Sequence, residues 1–142
     1  MVFNVNPDKK VAKYKQVLSE MKLTRLDQPM GELSGGEAKR AAIALMLLQE
    51  ANFLVMDEPT NHLDIDVIEY LEAHLQKSRC TLLMVTHDRY FLDRVAQRVI
   101  EISDGHAEFY SGNYSFYIEE KQARFDLQMK QYQQEQAKLK QL

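Results

Sequence analysis

Apolar residues recur along this chain first at helical spacing, then in short unbroken runs, then at alternate positions, and each regime predicts its own elements. Val11, Tyr14, Leu18 and Met21 stand three and four apart, which predicts an amphipathic helix from Pro7 to Met21 with proline at the tolerated first position. A loop follows from Leu26 to Leu33, punctuated by Pro29 and Gly31. From Gly35 to Glu50 the stretch Ala41–Leu48 is rich in helix formers and free of Pro and Gly, so a second helix is expected. Phe53–Met56 is a continuous apolar run that stops at Asp57, Glu58 and Pro59. It reads as a strand buried in a parallel sheet. Val67, Leu71 and Leu75 share one face of a predicted helix from Asp66 to Gln76. Thr81–Val85 reads as a second buried strand, ending at Thr86, His87 and Asp88, with a short helix over Arg89–Ala96.

Beyond this point the period changes. Val99–Ser103 and His106–Tyr110 flank Asp104-Gly105, the signal for a hairpin with a two-residue turn. After Gly112 the chain has no further Gly or Pro, so it is predicted to continue as one long exposed helix from Asn113. Ile118, Phe125, Tyr132 and Leu139 lie seven apart on it, a coiled-coil-like stripe that a lone helix cannot bury. The order helix, strand, helix, strand, helix, hairpin argues for an α/β layered domain. The boundary is drawn near Gly112, giving residues 1–112 as the α/β part and 113–142 as a helical extension.

Composition narrows the setting. The 142 residues suffice for one ordinary domain, and 45 % hydrophobic with 27 % charged residues is usual for a soluble globular chain. A net charge of −3 means that no basic field over the whole chain draws it to nucleic acid. The extension from Asn113 carries Glu119, Glu120, Asp126 and Glu135 against Lys121, Arg124, Lys130, Lys138 and Lys140, too even for strong RNA affinity. Cys80 is the single cysteine, which excludes an internal disulfide and fits a reducing compartment. The start Met1–Asp8 lacks the basic and apolar regions of a signal peptide. The longest apolar run, Ala41–Leu48, is far shorter than the roughly 20 residues a membrane helix needs. A soluble, cytoplasmic protein is expected.

The candidate chemistry sits at the strand ends, where ligands bind in parallel sheets. Asp57 and Glu58 end the first strand. One carboxylate can serve Mg²⁺, which prefers hard oxygen ligands, and the next can orient an attacking water. His87, one strand away, can face a terminal phosphate. Taken alone, an Asp-Glu pair reads first as a polar strand exit. Leu33-Ser34-Gly35-Gly36-Glu37 leads directly into a helix, where glycines permit close approach of an anion and the helix N-terminus offers free N–H groups. Taken alone, this too describes a plain turn and helix cap.

Taken together and in order, these segments closely resemble the ATP-binding cassette family. Leu33–Glu37 is similar to its signature loop, and the resemblance implies that Ser34, Gly35, Gly36 and Glu37 contact ATP held by a partner domain. The strand into Asp57-Glu58-Pro59 resembles the Walker B segment, implying a magnesium role for Asp57 and a catalytic-base role for Glu58. Asp64 matches the loop that faces the dimer interface, and His87 the switch histidine that senses the γ-phosphate. Glu58-Pro59-Thr60-Asn61-His62-Leu63-Asp64, and Tyr110–Tyr117 leading into a long charged helix, resemble the ABC-F group, whose two-cassette proteins act on ribosomes. The expectation is thus the downstream part of a first cassette, a partial P-loop NTPase fold, with the start of the linker to a second cassette. ATP and Mg²⁺ are the implied cofactors, and the ribosome with its tRNA the implied partner. His62 belongs to the motif by position without a chemical role of its own. His74 reads as a surface residue, and Lys39 and Arg40 as a solvated helix face rather than nucleotide or RNA ligands.

The sequence contains no Gly-x-x-x-x-Gly-Lys-Ser/Thr loop, because none of Gly31, Gly35, Gly36, Gly105 and Gly112 precedes a Lys. The chain is therefore expected to be a fragment, a split gene product or a truncated one, incompetent for ATP hydrolysis by itself. Alternative readings are the ATPase subunit of a membrane transporter, the tail-end lobe of a chromosome-maintenance ATPase, or a non-catalytic interaction module. The helix after the hairpin counts against the first two, and intact Asp57, Glu58 and His87 against the third.

Overall fold

The computed structural model describes residues 7–25, 27–49 and 51–141. The expectations for the chain start at Met1–Asn6, for the loop onset at Leu26, for the helix end at Glu50 and for Leu142 lie outside the described residues. The chain forms two compact units, one ending at His87 and the other beginning at Asp88. The boundary expected near Gly112 falls inside the second unit.

The first unit contains α1 (Pro7–Glu20), a 3₁₀ turn (Met30–Glu32), α2 (Gly35–Leu48), β1 (Phe53–Asp57), α3 (Ile65–Lys77) and β2 (Thr81–Val85). Helices α1 and α2 lie against each other. Among the side chains of α1 described, from Lys10 onward, burial falls at the C-terminal end and the residue after it, where Val17 and Met21 are covered and Leu18 is half-buried. Val11 and Tyr14 are exposed, so the expected four-residue face is corrected to the i, i+4 pair Val17 and Met21. Helix α2 buries Ala41, Ile43, Ala44 and Leu47. Helix α3 buries Val67, Leu71 and Leu75, the face that the periodicity predicts. His74 departs from expectation. It is half-buried and tilted against Tyr70 at 6.2 Å between ring centroids, and burial, with Lys13 and Lys77 nearby, holds its pKa below the usual range.

Strands β1 and β2 are parallel, in register from Phe53 opposite Thr81 to Asp57 opposite Val85. The expectation that both are buried on two faces is corrected. Side chains alternate across a strand, and here Met56 is buried and Leu54, Leu82 and Met84 are half-buried. Val55 and Val85, on the other face, are 63 % and 59 % exposed.

The second unit contains α4 (Arg89–Val95), β3 (Arg98–Ser103), β4 (His106–Ser111) and α5 (Tyr114–Lys140). Asp88 caps α4 by accepting from the Phe91 N–H at 3.0 Å, and Phe91 is fully buried. The hairpin β3–β4 turns through Asp104 and Gly105, both at positive φ, 49° and 77°. That is the primed turn whose twist matches the strands. Asn113 caps α5 through the Phe116 N–H at 3.0 Å, and the Ser115 N–H donates to Asp93 of α4 at 2.7 Å.

Helix α5 meets the hairpin on a polar face. Lys121 pairs with Glu101, and the Arg124 guanidinium lies 4.3 Å over the Tyr110 ring. Tyr117 meets the same ring edge-on at 4.9 Å. The opposite hairpin face carries the exposed Ile100, Ile102 and Phe109. The stripe Ile118, Phe125, Tyr132 and Leu139 is exposed along α5, as the spacing predicts for an unpartnered helix. Among the described residues no helix is long and apolar enough to cross a membrane.

Candidate functional site

The parallel register sets β1 and β2 to end side by side, and the polar residues that follow them converge on Glu58. Its backbone N–H donates across to the Val85 carbonyl at 2.7 Å, and its φ is +44°. A non-glycine residue takes that conformation only where its surroundings enforce it. The carboxylate is held on the same side. Thr86 Oγ1 donates to Glu58 Oε2 at 3.1 Å, and the His87 backbone N–H donates to that oxygen at 3.3 Å. His87 Nε2 lies 3.5 Å from Glu58 Oε1. The His87 side chain is 99 % exposed while that of Glu58 is 24 % exposed. A fixed, partly shielded carboxylate thus sits beside an imidazole free to meet a ligand. Asp57, the last residue of β1, is exposed.

Ser34 and Glu37 form a reciprocal cap on α2. The Ser34 hydroxyl accepts from the Glu37 N–H at 3.3 Å, and the Glu37 carboxylate accepts from the Ser34 N–H at 2.9 Å. The two bonds to Ser34 hold the Glu37 pKa below the ordinary carboxylate range. Glu37 is committed to shaping the turn. Ser34 keeps its hydroxyl proton to donate elsewhere, and Gly35 and Gly36 lead the helix behind it. An added Cβ at Gly35 would meet nothing within 4 Å, so the turn is open to solvent there.

Asp64 precedes α3 without a side-chain capping bond. It pairs with Lys22 at 3.1 Å, and Asp66 pairs with the same ammonium at 2.7 Å. The hydrogen bond from Lys22 lowers the Asp66 pKa, while the bonds to Asp66 and Asp64 raise that of Lys22. His62 takes a φ of +62° in the loop before α3.

The structure therefore brings Glu58 and His87 together. It places Ser34, Gly35 and Gly36 at a helix start, gives Glu37 a local partner in Ser34, and pairs Asp64 with Lys22, 42 residues away. Two residues of this site escape the sequence reading. Thr86 orients the carboxylate. Lys39, expected on a solvated face, instead donates to the carbonyls of Glu58 and Asn61, each at 2.8 Å. These bonds span 19 and 22 residues, so no local pattern announces them.

Comparison with known proteins shows the family. Family models described as ABC transporter match residues 2–61 and 100–142. The energy-dependent translational throttle protein EttA of Mycobacterium tuberculosis is 44 % identical over 117 residues, 82 % of this chain and 21 % of that protein. The ATP-binding protein ChvD of Rhizobium radiobacter is 44 % identical over 110 residues, 74 % of this chain and 38 % of that protein. In the solved complex of archaeal ribosomal stalk protein aP1 and archaeal ribosome recycling factor aABCE1, one chain superposes with a TM-score of 0.56 at 30 % identity, covering 77 % of this chain and 22 % of that one. The chain spans well under half the length of these relatives. With both family models and these relatives in agreement, the chain belongs to the ATP-binding cassette family, of the ABC-F type.

Proposed function

We propose that this chain supplies the signature turn and the catalytic carboxylate of an ATP-hydrolysing cassette whose complete form acts on the ribosome. The observation that carries this reading is Glu58, held at positive φ with its carboxylate oriented by Thr86 and His87. Neutral donors aim the carboxylate without quenching it, which suits a general base that positions water for attack on a γ-phosphate. His87, exposed beside it, contacts that phosphate. Ser34, Gly35 and Gly36 offer a hydroxyl and helix-leading amides to the ATP of a partner cassette. Asp64 faces the same interface once it exchanges Lys22 for that partner.

Magnesium fits this donor set as a shared ion. Asp57 offers one exposed carboxylate, and among the described residues no three His, Cys, Asp or Glu side chains cluster into a cage. Mg²⁺ characteristically takes one or two carboxylates and completes its shell with phosphate and water. When bound it offsets the charge of the β- and γ-phosphates. A phosphate-binding loop must come from residues outside this sequence, so the chain alone should bind Mg-ATP weakly and turn it over negligibly.

The names of EttA and of the recycling factor, a translational throttle and a ribosome-recycling protein, support a ribosomal role in the cytoplasm. The helix from Asn113 onward is then the outgoing arm of a linker to a second cassette, with the division near Gly112. The test is Glu58→Gln in the full-length, ATPase-competent protein. Hydrolysis should fall about 10²–10⁴-fold while ATP binding survives. Hydrolysis at the parental rate would remove Glu58 from the role of base.

A further inference from the structure

We propose that Lys39 is a positioning residue for Glu58, coupling the helix behind the Ser34–Gly36 turn to the candidate base; this rests on the reading of Glu58 as that base. The Lys39 ammonium donates to the Glu58 carbonyl and to the Asn61 carbonyl, each at 2.8 Å. An ammonium has three donors and no acceptor, and two of these are spent on the main chain that follows β1. Lys39 is half-buried, so these are charge-assisted bonds at a partly dry site, the stronger kind.

What they hold is a strained peptide. Glu58 has a φ of +44°, and such a conformation persists only when it is fixed from several directions. The Val85 carbonyl fixes its N–H, Thr86 and His87 fix its carboxylate, and Lys39 fixes its carbonyl. Of these groups, Lys39 alone comes from α2. It stands in the first turns of that helix, behind the Ser34–Glu37 capping box. A rigid helix therefore runs from the turn that faces the ligand to the carbonyl of the base. A shift of the turn on ligand contact is carried to Glu58 through this side chain. Because its ammonium is committed inward, Lys39 is not itself a phosphate ligand.

The test uses the full-length ATPase with Lys39→Met, Lys39→Gln, Lys39→Arg, Glu58→Gln and the Lys39→Met/Glu58→Gln double variant. Lys39→Met should lower kcat by about 10- to 100-fold, the cost of a modest misplacement of a catalytic group, with the ATP Kd unchanged. Lys39→Arg, which can still donate to both carbonyls, should restore most of the rate, and Lys39→Gln should fall between the two. In the Glu58→Gln background Lys39→Met should add no further loss. A parental rate for Lys39→Met beside a slow Glu58→Gln overturns the positioning role and leaves the base standing. A parental rate for Glu58→Gln overturns the base, and the positioning role with it. A multiplicative loss in the double variant, a weakened ATP Kd, or a collapse of the melting transition shared by all three Lys39 variants each overturns the inference, because Lys39 would then act elsewhere, on nucleotide, or on folding alone.

Discussion

Glu58 just beyond one two-stranded ladder and Glu101 within the other are treated by the structure in opposite ways. Glu101 lies within β3, directly opposite Glu108 of β4. Like charges facing across a ladder repel, and α5 answers both. Lys121 pairs with Glu101, and Arg124 reaches Glu108 at 3.8 Å while covering the Tyr110 ring. The hydrogen bond from Lys121 holds the Glu101 pKa below the carboxylate range and raises that of Lys121. Glu58 stands just past the tip of β1, where a hydroxyl and an amide donate to its carboxylate and the exposed His87 ring lies 3.5 Å from its other oxygen. An acid within a strand has neighbours on either side and is neutralised as part of the packing. Glu58, past the tip, is as shielded as Glu101 but is aimed by neutral donors beside an exposed imidazole. The same residue type is structural in one place and available for chemistry in the other.

The sharpest way to break this comparison is to remove both charges in parallel. Glu58→Gln should lower hydrolysis in the full-length protein by about 10²–10⁴-fold and leave the melting temperature where it was. Glu101→Gln should do the reverse, keeping the rate and lowering the melting temperature as Lys121 loses its counter-ion. If Glu101→Gln slowed hydrolysis as much as Glu58→Gln, position along the strand would say nothing about role.

Two glycines probe how firmly the hairpin unit is built around its polar face. An added Cβ at Gly112 would lie 2.8 Å from the Phe116 Cβ and 2.5 Å from its Cδ1. The Cβ of Phe116 is anchored to the backbone and cannot swing aside, so Gly112→Ala must displace the start of α5. Overpacking of this kind costs about 1–3 kcal/mol, to be read from denaturant unfolding. Gly105→Ala meets no steric neighbour, but its φ of +77° is unfavourable for a side chain. Its cost should be smaller, about 1–2 kcal/mol. Equal, negligible effects at both sites would mean that α5 is not seated on the hairpin as described.

The elements themselves were legible because each rests on a local pattern. Val67, Leu71 and Leu75 announce α3, Asp104-Gly105 announces the hairpin turn, and the absence of breakers after Gly112 announces α5. Burial was less legible. The runs Phe53–Met56 and Thr81–Val85 look alike on both faces in sequence, yet Val55 and Val85 stand open. A run of apolar residues records what a strand can bury, not what covers it. At the site, motif order directs attention to Glu58 and His87, but the residues that hold Glu58 come from elsewhere in the chain. Thr86 looks like any polar strand exit. Lys39 looks like any helix-surface lysine until the fold brings the loop after β1 beneath it. The positive φ of Glu58 has no signature in its residue type.

Acid titration gives the smallest effect and tests the seat of α5 most locally. The Ser115 N–H donates to the Asp93 carboxylate at 2.7 Å, and hydrogen bonding from Ser115 holds the Asp93 pKa below the usual range. A carboxyl whose folded pKa is depressed adds stability that is present above its unfolded value, about 4. That stability disappears as the pH falls through the folded value. Glu101 carries a shift of the same sign, caused first by Lys121. Both contacts should therefore be intact at neutral pH and weaken together in acid, loosening the first turns of α5 before its distal turns. In a two-dimensional NMR titration the Ser115 amide should move with a midpoint below the ordinary carboxylate range, and Asp93→Asn should abolish that movement. An amide that titrates at the ordinary carboxylate value, or not at all, would show that Asp93 does not hold the start of the helix. The burden would then fall on Asn113 and the Lys121–Glu101 pair.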